Sequence, residues 1–201
     1  MNFSEPVIDF DIPPSMPRGG NRLSRWLGRC LLRSIGWKLR GALPDEPKLI
    51  IAAAPHTSNW DFIIAMGTIM SLGIRISYLM KKEAFFWPFK GFFLWLGGIP
   101  IDRKAASNTV DQIADWYSTH EQCWVVLTPE GTRKKVDKWK TGFLRIAEKA
   151  DIPVFVVAWD YPSKTLQMLP CWQTTGDHAA DADAMRDMIN ARFVARHPEK
   201  Q

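Results

Sequence analysis

The sequence predicts an α/β fold with a mostly parallel central sheet flanked by helices, and with a basic amphipathic helix near the N-terminus. Short apolar runs of strand length alternate along the chain with segments whose apolar residues recur at helical spacing. Such alternation is typical of parallel sheets whose strands are joined by crossover helices. A chain of 201 residues is long enough for one domain with a full hydrophobic core.

The first 35 residues divide into an arm and a helix. Residues 1–20 contain four prolines and are expected to form an extended arm ahead of a single domain at 21–201. Residues 21–35 predict an amphipathic helix with Leu and Trp on one face and arginines on the other. That arrangement is typical of a helix that lies in a membrane interface. The alternative is a helix packed on the domain with a solvated arginine face.

Basic residues are concentrated in the same region. Seven basic residues and no acidic residue occur between Ile12 and Pro44, so the charge of this segment alone exceeds the net charge of +5 of the whole chain. This local patch indicates an anionic surface as partner, and we expect a membrane rather than nucleic acid, because no nucleic-acid motif accompanies it. The basic residues are Arg18, Arg22, Arg25, Arg29, Arg33, Lys38 and Arg40.

The remaining elements follow from apolar runs, helical spacing and turn residues. Strands are predicted at 36–41, 49–54, 75–80, 99–101, 123–127, 153–159 and 165–169, the last as an edge strand. Helices are predicted from Asp61 to about Ser71, as short aromatic-rich pieces at 82–96, after a cap at Ser107, at 141–150 and at 179–196.

No segment predicts a transmembrane helix. The most apolar stretch, at 84–101, is interrupted by Pro88, Lys90 and adjacent glycines, and its aromatic part at 85–95 is a second candidate for membrane contact. The polar, proline-rich N-terminus predicts no cleavable signal, and three scattered cysteines predict neither a disulfide framework nor a zinc site. These features favour a cytoplasm-facing location.

A histidine and an aspartate flank the start of the helix that follows the strand at 49–54. His56 comes after Pro55, which ends the strand, and Asp61 falls in the first helical turn, where the helix dipole favours a carboxylate. A carboxylate can hold one nitrogen of an imidazole and leave the other free to take a proton. The pair therefore predicts a general base, although a lone His-x4-Asp is weak by itself.

A second polar loop follows the strand at 123–127. It reads Pro129-Glu130-Gly131-Thr132-Arg133, in which the glycine allows a tight turn beside a ligand and the guanidinium suits phosphate. Because the carboxyl ends of parallel strands meet at one sheet edge, we expect this loop beside His56. The alternative for this loop is a surface ion pair between Glu130 and Arg133. Arg103, after Gly97-Gly98, is a second phosphate candidate.

Four blocks in this order resemble the glycerophospholipid acyltransferase family, whose best-known members are the 1-acylglycerol-3-phosphate acyltransferases. The blocks are His56-x4-Asp61 and residues 98–103, 129–133 and 152–154, and the resemblance covers about residues 49–159. Pro55 precedes the histidine where the family often has a polar residue, and Pro100 stands where a bulky residue is usual. These departures concern the shape of the acceptor site more than the reaction.

The resemblance implies an O-acyltransferase. His56 would take the proton from an acceptor hydroxyl that attacks an acyl thioester of CoA or acyl carrier protein, and Asp61 would support the imidazolium. It further implies that the acceptor and its phosphate contact five residues, with Lys81, Lys82 and Lys140 as helpers and with no metal or bound cofactor. The five residues are Arg103, Glu130, Gly131, Thr132 and Arg133.

The expected acceptor is a lysophospholipid, 1-acyl-glycerol-3-phosphate in the first place, which gives phosphatidate. Another lysolipid or hydroxylated acceptor is an alternative, as is an acyl-thioester hydrolase in which His56 activates water. A non-catalytic membrane-surface module is the third reading. We expect a peripheral, monotopic protein on the cytoplasmic face of a membrane. Its expected partners are the anionic membrane surface, the two substrates and acyl carrier protein as one alternative for the acyl-thioester donor.

Overall fold

The computed structural model describes residues 7–8, 11–88, 90–95, 97–102 and 109–201. Strands and helices alternate through most of it, as predicted. The strands are β1 (Lys38–Gly41), β2 (Lys48–Ala54), β3 (Ser77–Lys81), β4 (Gly98–Ile101), β5 (Cys123–Leu127), β6 (Val154–Asp160) and β7 (Thr165–Trp172). The α-helices are α1 (Arg22–Ile35), α2 (Asn59–Leu72), α3 (Lys90–Trp95), α4 (Thr109–Ser118), α5 (Gly142–Ala150) and α6 (His178–Arg192), with short 3₁₀ helices at Lys82–Ala84 and Pro198–Lys200.

The strands form one seven-stranded sheet in the order β1-β7-β6-β2-β5-β3-β4. All neighbours are parallel except β6 and β7, so the predicted α/β fold with a mostly parallel sheet is confirmed. The prediction of an edge strand at 165–169 was wrong, because β1 pairs with the outer side of β7.

Strand β2 lies at the centre of the sheet, and its six apolar residues are buried. Successive side chains point to opposite faces, as in any strand. One face, including Ile50 and Ala52, packs in a core with Tyr117 of α4 and Phe143 of α5. The other face, including Ile51, packs in a second core on the side of α1 and α2. A parallel strand covered on both faces is expected to be apolar throughout.

Helices α1 and α2 pack antiparallel at very close range. A Cβ added at Gly28 of α1 would lie 2.4 Å from the backbone nitrogen of Ser71 and 2.7 Å from the backbone oxygen of Gly67, both in α2. Leu32 of α1 is fully buried at the same contact. The helix predicted at 21–35 is confirmed, with Asn21 as its N-cap.

The two ends of the chain also contact the domain. In the described part of the N-terminal arm, Met16 is fully buried and Arg18 forms a bridge with Ile74. Helix α6 ends at Arg192, four residues earlier than predicted, because Phe193 is extended. The segment after α6 therefore continues along the sheet edge, where the His197 N–H donates to Thr57 Oγ1 at 3.2 Å.

Two further predictions concern the middle of the chain. The predicted cap Ser107 lies outside the described residues. Within the described ranges, no helix combines the length and the apolar character that crossing a bilayer requires.

Candidate active site

Three adjacent strands deliver the site residues to one sheet edge. Strands β6, β2 and β5 are neighbours, and β2 is parallel to both. The loops after their carboxyl ends therefore meet, which is where open α/β sheets place ligand sites. The His56 loop follows β2, the Glu130 loop follows β5, and Tyr161 comes directly after β6.

Asp61 is held at the start of α2. Ser58 is the N-cap, and Asp61 is the third helical residue of a capping box, a local motif that needs few residues to form. The side chain of Asp61 is fully buried. Its Oδ2 accepts hydrogen bonds from the backbone N–H groups of Thr57 at 3.0 Å and Ser58 at 2.9 Å. A buried carboxylate is tolerable only with such compensation.

His56 completes this arrangement. Its Nδ1 lies 3.0 Å from Asp61 Oδ2, and the His56 side chain is 22% exposed. Because an ionised carboxylate only accepts hydrogen bonds, this contact requires a proton on Nδ1, and in a neutral imidazole the lone pair is then on Nε2. No side chain in the described part of the chain hydrogen-bonds to Nε2. Its geometry is that of a base ready to take a proton from a ligand.

Tyr161 is a site residue that the sequence reasoning missed. Its hydroxyl donates to Asp61 Oδ1, the oxygen that His56 does not use. Burial raises the pKa of Tyr161 far above its ordinary value, and the contact with Asp61 raises it further, so the hydroxyl keeps its proton and acts as the donor. The available signal was its position at the carboxyl end of a predicted strand.

Glu130 joins the two loops. Its Oε1 accepts the backbone N–H of His56 at 2.9 Å. Its Oε2 is buried and has no hydrogen-bond partner among the residues that the structure describes. Burial raises the pKa of Glu130. The hydrogen bond from the His56 backbone lowers it, but by less, so the pKa is raised overall.

The rest of the Glu130 loop brings basic groups to the same edge. Gly131 has φ 63°, a left-handed conformation that favours glycine, and the side chain of Lys140 lies directly over it, with Nζ 2.6 Å from the position that a Cβ would take. Arg133 donates to the side-chain oxygen of Asn59 in the first turn of α2. Thr132 Oγ1 accepts the backbone N–H of Lys134 at 3.3 Å and shapes the loop.

The other predicted site residues are less fully described. Arg103 lies outside the described residues, as does the side chain of Lys81. Lys82 Nζ lies 3.5 Å from Asp102 Oδ2 at the end of the neighbouring block. Among the described residues no cluster of metal-ligating side chains occurs.

Arg196 is a second residue that the sequence reasoning missed. Its guanidinium carbon lies 5.0 Å from the centroid of the Trp60 ring, beside the His56–Asp61 pair. The predicted helix at 179–196 made Arg196 its last residue, whereas α6 ends at Arg192 and Arg196 lies in the segment that follows it.

Comparisons with known proteins agree with this architecture. A family model described as Acyltransferase matches residues 39–160, which include His56, Asp61 and Glu130. The fold is similar to the crystal structure of the 1-acyl-sn-glycerophosphate (LPA) acyltransferase PlsC from Thermotoga maritima, with a TM-score of 0.60 and 16% sequence identity. The similarity covers 84% of this chain and 76% of that chain. No curated protein sequence matches the chain.

Replacing Glu130 by Gln should change how the stability depends on pH. The pKa of Glu130 is higher in the folded protein than in the unfolded chain. Protonation of Glu130 therefore stabilises the fold fully at a pH below the pKa of the unfolded chain, and this stabilisation is lost as the pH rises through the pKa of the folded protein. Gln carries no such proton but keeps an oxygen for the His56 N–H. Wild type should therefore gain melting temperature relative to E130Q as the pH falls from neutrality towards the ordinary Glu value of 4.5.

The matched control is Glu121→Gln, because Glu121 is exposed. Thermal unfolding of the three proteins across this pH range measures the difference. A wild-type melting temperature that keeps a constant distance from that of E130Q, or that rises relative to it as the pH rises, would contradict the buried environment of Glu130.

Proposed function

This chain belongs to the Acyltransferase family, whose model matches residues 39–160, and from that premise we propose that it is an O-acyltransferase acting on lysophospholipids. It would move a fatty acyl group from an acyl-CoA or acyl carrier protein thioester to the free hydroxyl of 1-acyl-glycerol-3-phosphate, giving phosphatidate. The observation that carries the proposal is the His56–Asp61 pair, with Nδ1 held at 3.0 Å and Nε2 directed away from the carboxylate.

In the proposed reaction His56 Nε2 takes the proton of the acceptor hydroxyl as its oxygen attacks the thioester carbonyl. The tetrahedral intermediate then collapses, so that the C–S bond breaks, the new C–O ester bond remains, and the imidazolium returns its proton to the leaving thiolate. Asp61 stays ionised and stabilises the imidazolium while it exists, as the aspartate does in a serine-hydrolase triad.

The basic groups beside the base support an acceptor that carries phosphate. Arg133 is held next to α2 by Asn59, and Lys140 Nζ lies over Gly131. Guanidinium groups bind phosphate oxygens in pairs, and Lys supplies a point charge. Arg103 is proposed as a further cation. Glu130 carries a negative charge when ionised, so we propose that it shapes the acceptor site by holding the His56 backbone.

Apolar space next to the base supports an acyl-bearing substrate. A cavity of about 80 Å³ lies between α2 and the sheet, lined by Ala65 and Ile69 of α2 and by Phe155 and Trp159 of β6. The Trp159 ring also lies 6.1 Å from the His56 ring. One tryptophan thus lies between the proposed base and a largely apolar space, whose volume suits only a few methylene groups of an acyl chain because ligand pockets are typically several times larger.

The exposed faces of α1 support a membrane surface as partner. Leu23, Trp26 and Leu27 are 62%, 59% and 43% exposed and lie on the side of the helix away from α2, while Arg29 and Arg33 are exposed beside them. Packing against α2 uses Gly28 and Leu32 instead. An apolar band flanked by arginines suits the interface of an anionic leaflet, and we propose peripheral binding to the cytoplasmic face.

His56→Ala should lower acyl transfer by about 100-fold to 10,000-fold, the range for loss of a general base. The control is His178→Ala, since His178 pairs with Glu148 in the last turn of α5 and not with the site. Mass spectrometry of lipids and thiol release are measured together, with and without lysophosphatidate. Thiol release that ignores the acceptor would favour the hydrolase, and full transfer activity in H56A would exclude the proposed base.

Arg133→Ala should raise the KM for lysophosphatidate by about tenfold or more, because a charge-assisted contact with phosphate is lost. The KM for monoacylglycerol, which has no phosphate, should change little. The donor should be an acyl thioester of a phosphate-free thiol, so that the phosphates of CoA do not contribute. Lys134→Ala, an exposed neighbour, is the control. Equal losses with both acceptors would contradict the phosphate role.

Replacing both Trp26 and Leu27 by Ala should weaken binding to vesicles that contain anionic lipid by about tenfold or more, because their apolar area no longer enters the interface. The control is Trp87→Ala, since Trp87 is 89% exposed in the aromatic segment at 85–95. Co-sedimentation at low and high salt measures both variants. If W87A loses more binding than the double variant, the aromatic segment and not α1 is the main anchor.

A further inference from the structure

Asp61 divides its hydrogen bonds unequally between its two oxygens. Oδ2 accepts from His56 Nδ1 and from the backbone N–H groups of Thr57 and Ser58. Oδ1 accepts from Tyr161, and it has no other partner among the described residues. Since Asp61 is fully buried, water cannot replace that donor without a local opening. The orientation of the carboxylate therefore depends on one hydroxyl from a distant part of the chain.

The Tyr161 ring is fixed independently of its hydroxyl. It packs edge-on against Trp37, with 4.9 Å between ring centroids and 80° between ring planes. Trp37 is itself buried and follows directly after α1. Removing the hydroxyl alone therefore leaves the ring in place, which separates the polar contact from the packing.

We propose that Tyr161 is a positioning residue, which holds Asp61 in the plane that His56 needs and offsets part of the carboxylate charge. The proposal rests on the acyltransferase function proposed above. With the hydroxyl present, Asp61 supports the imidazolium in the reaction without holding His56 protonated beforehand. Without it, the carboxylate is less compensated and favours a charged imidazole in the free enzyme.

Three further charged or titratable groups surround this contact. His56 faces Asp61 from the loop after β2, and Glu130 faces both from the loop after β5. Arg196 approaches Tyr161 from the segment after α6, and its positive charge acts on the pKa of Tyr161 in the direction opposite to Asp61. A side-chain hydrogen bond also joins Arg196 to the Tyr161 hydroxyl, so Tyr161→Phe removes that contact together with the one to Asp61. The charges of the three surrounding groups are themselves unchanged in the variant.

The test is Tyr161→Phe with Tyr117→Phe as matched control. Tyr117 is also buried, and its hydroxyl donates at 2.7 Å to the backbone oxygen of Leu49, away from the site. Y161F should lower kcat about tenfold with little change in the KM of either substrate, since a buried acceptor at the base is left unsatisfied. The acidic limb of its pH–rate profile should move to higher pH by about half a unit. Y117F should alter the melting temperature only.

A second measurement does not require turnover. The ring of His56 is titrated by NMR in the full-length protein without substrate, and its midpoint should rise in Y161F and stay unchanged in Y117F. If wild type shows no acyl transfer, the acyltransferase proposal fails while the titration still tests Tyr161. Wild-type kcat and an unshifted His56 midpoint in Y161F, or the same changes in Y117F, would overturn the positioning role.

Discussion

The buried carboxylate of Asp61 is the group on which the site depends. Taking a charge out of water is costly unless hydrogen bonds and partial charges replace its hydration. Here the N-terminus of α2 provides two backbone N–H groups and the favourable end of the helix dipole, His56 provides a third donor, and Tyr161 provides the fourth. These donors come from the loop after β2 and from the residue after β6, so the adjacent parallel strands β2 and β6 bring the four donors to one carboxylate.

Glu130 is a second carboxylate at the same edge, and its surroundings differ. Asp61 has four donors, whereas Glu130 has one backbone N–H on Oε1 and a buried Oε2 without a partner in the described residues. This difference explains why burial dominates at Glu130 and raises its pKa. Asp61 contacts the imidazole of His56 directly, while Glu130 fixes the backbone from which that imidazole projects.

Local and distant contacts explain how much the sequence could predict. The His56–Asp61 pair follows from a strand end and a capping box within six residues, and the α/β fold follows from periodicity, so both could be predicted. Tyr161 contacts Asp61 across 100 residues of chain, and no local pattern encodes that contact. Arg196 was missed because helical spacing continues past Arg192, where the backbone in fact turns extended. Strand β7 was wrongly predicted to be an edge strand. The strand that pairs with its outer side, β1, is set by tertiary packing, which a local sequence pattern does not encode.

The packing of α1 on α2 connects the proposed membrane surface with the proposed base. The helices are antiparallel, so the C-terminal end of α1 lies beside the N-terminal end of α2, where Asp61 is in the first helical turn. Phe62, the next residue, is 66% exposed. After α1 the chain turns at Gly36, and Trp37 packs on the ring of Tyr161, which donates to Asp61. The same helix pair thus presents apolar side chains outwards and fixes the carboxylate of Asp61 inwards. If α1 contacts lipid as proposed, the proposed base can reach a hydroxyl whose acyl chain remains in the bilayer, and this arrangement favours an amphiphilic acceptor over a soluble one.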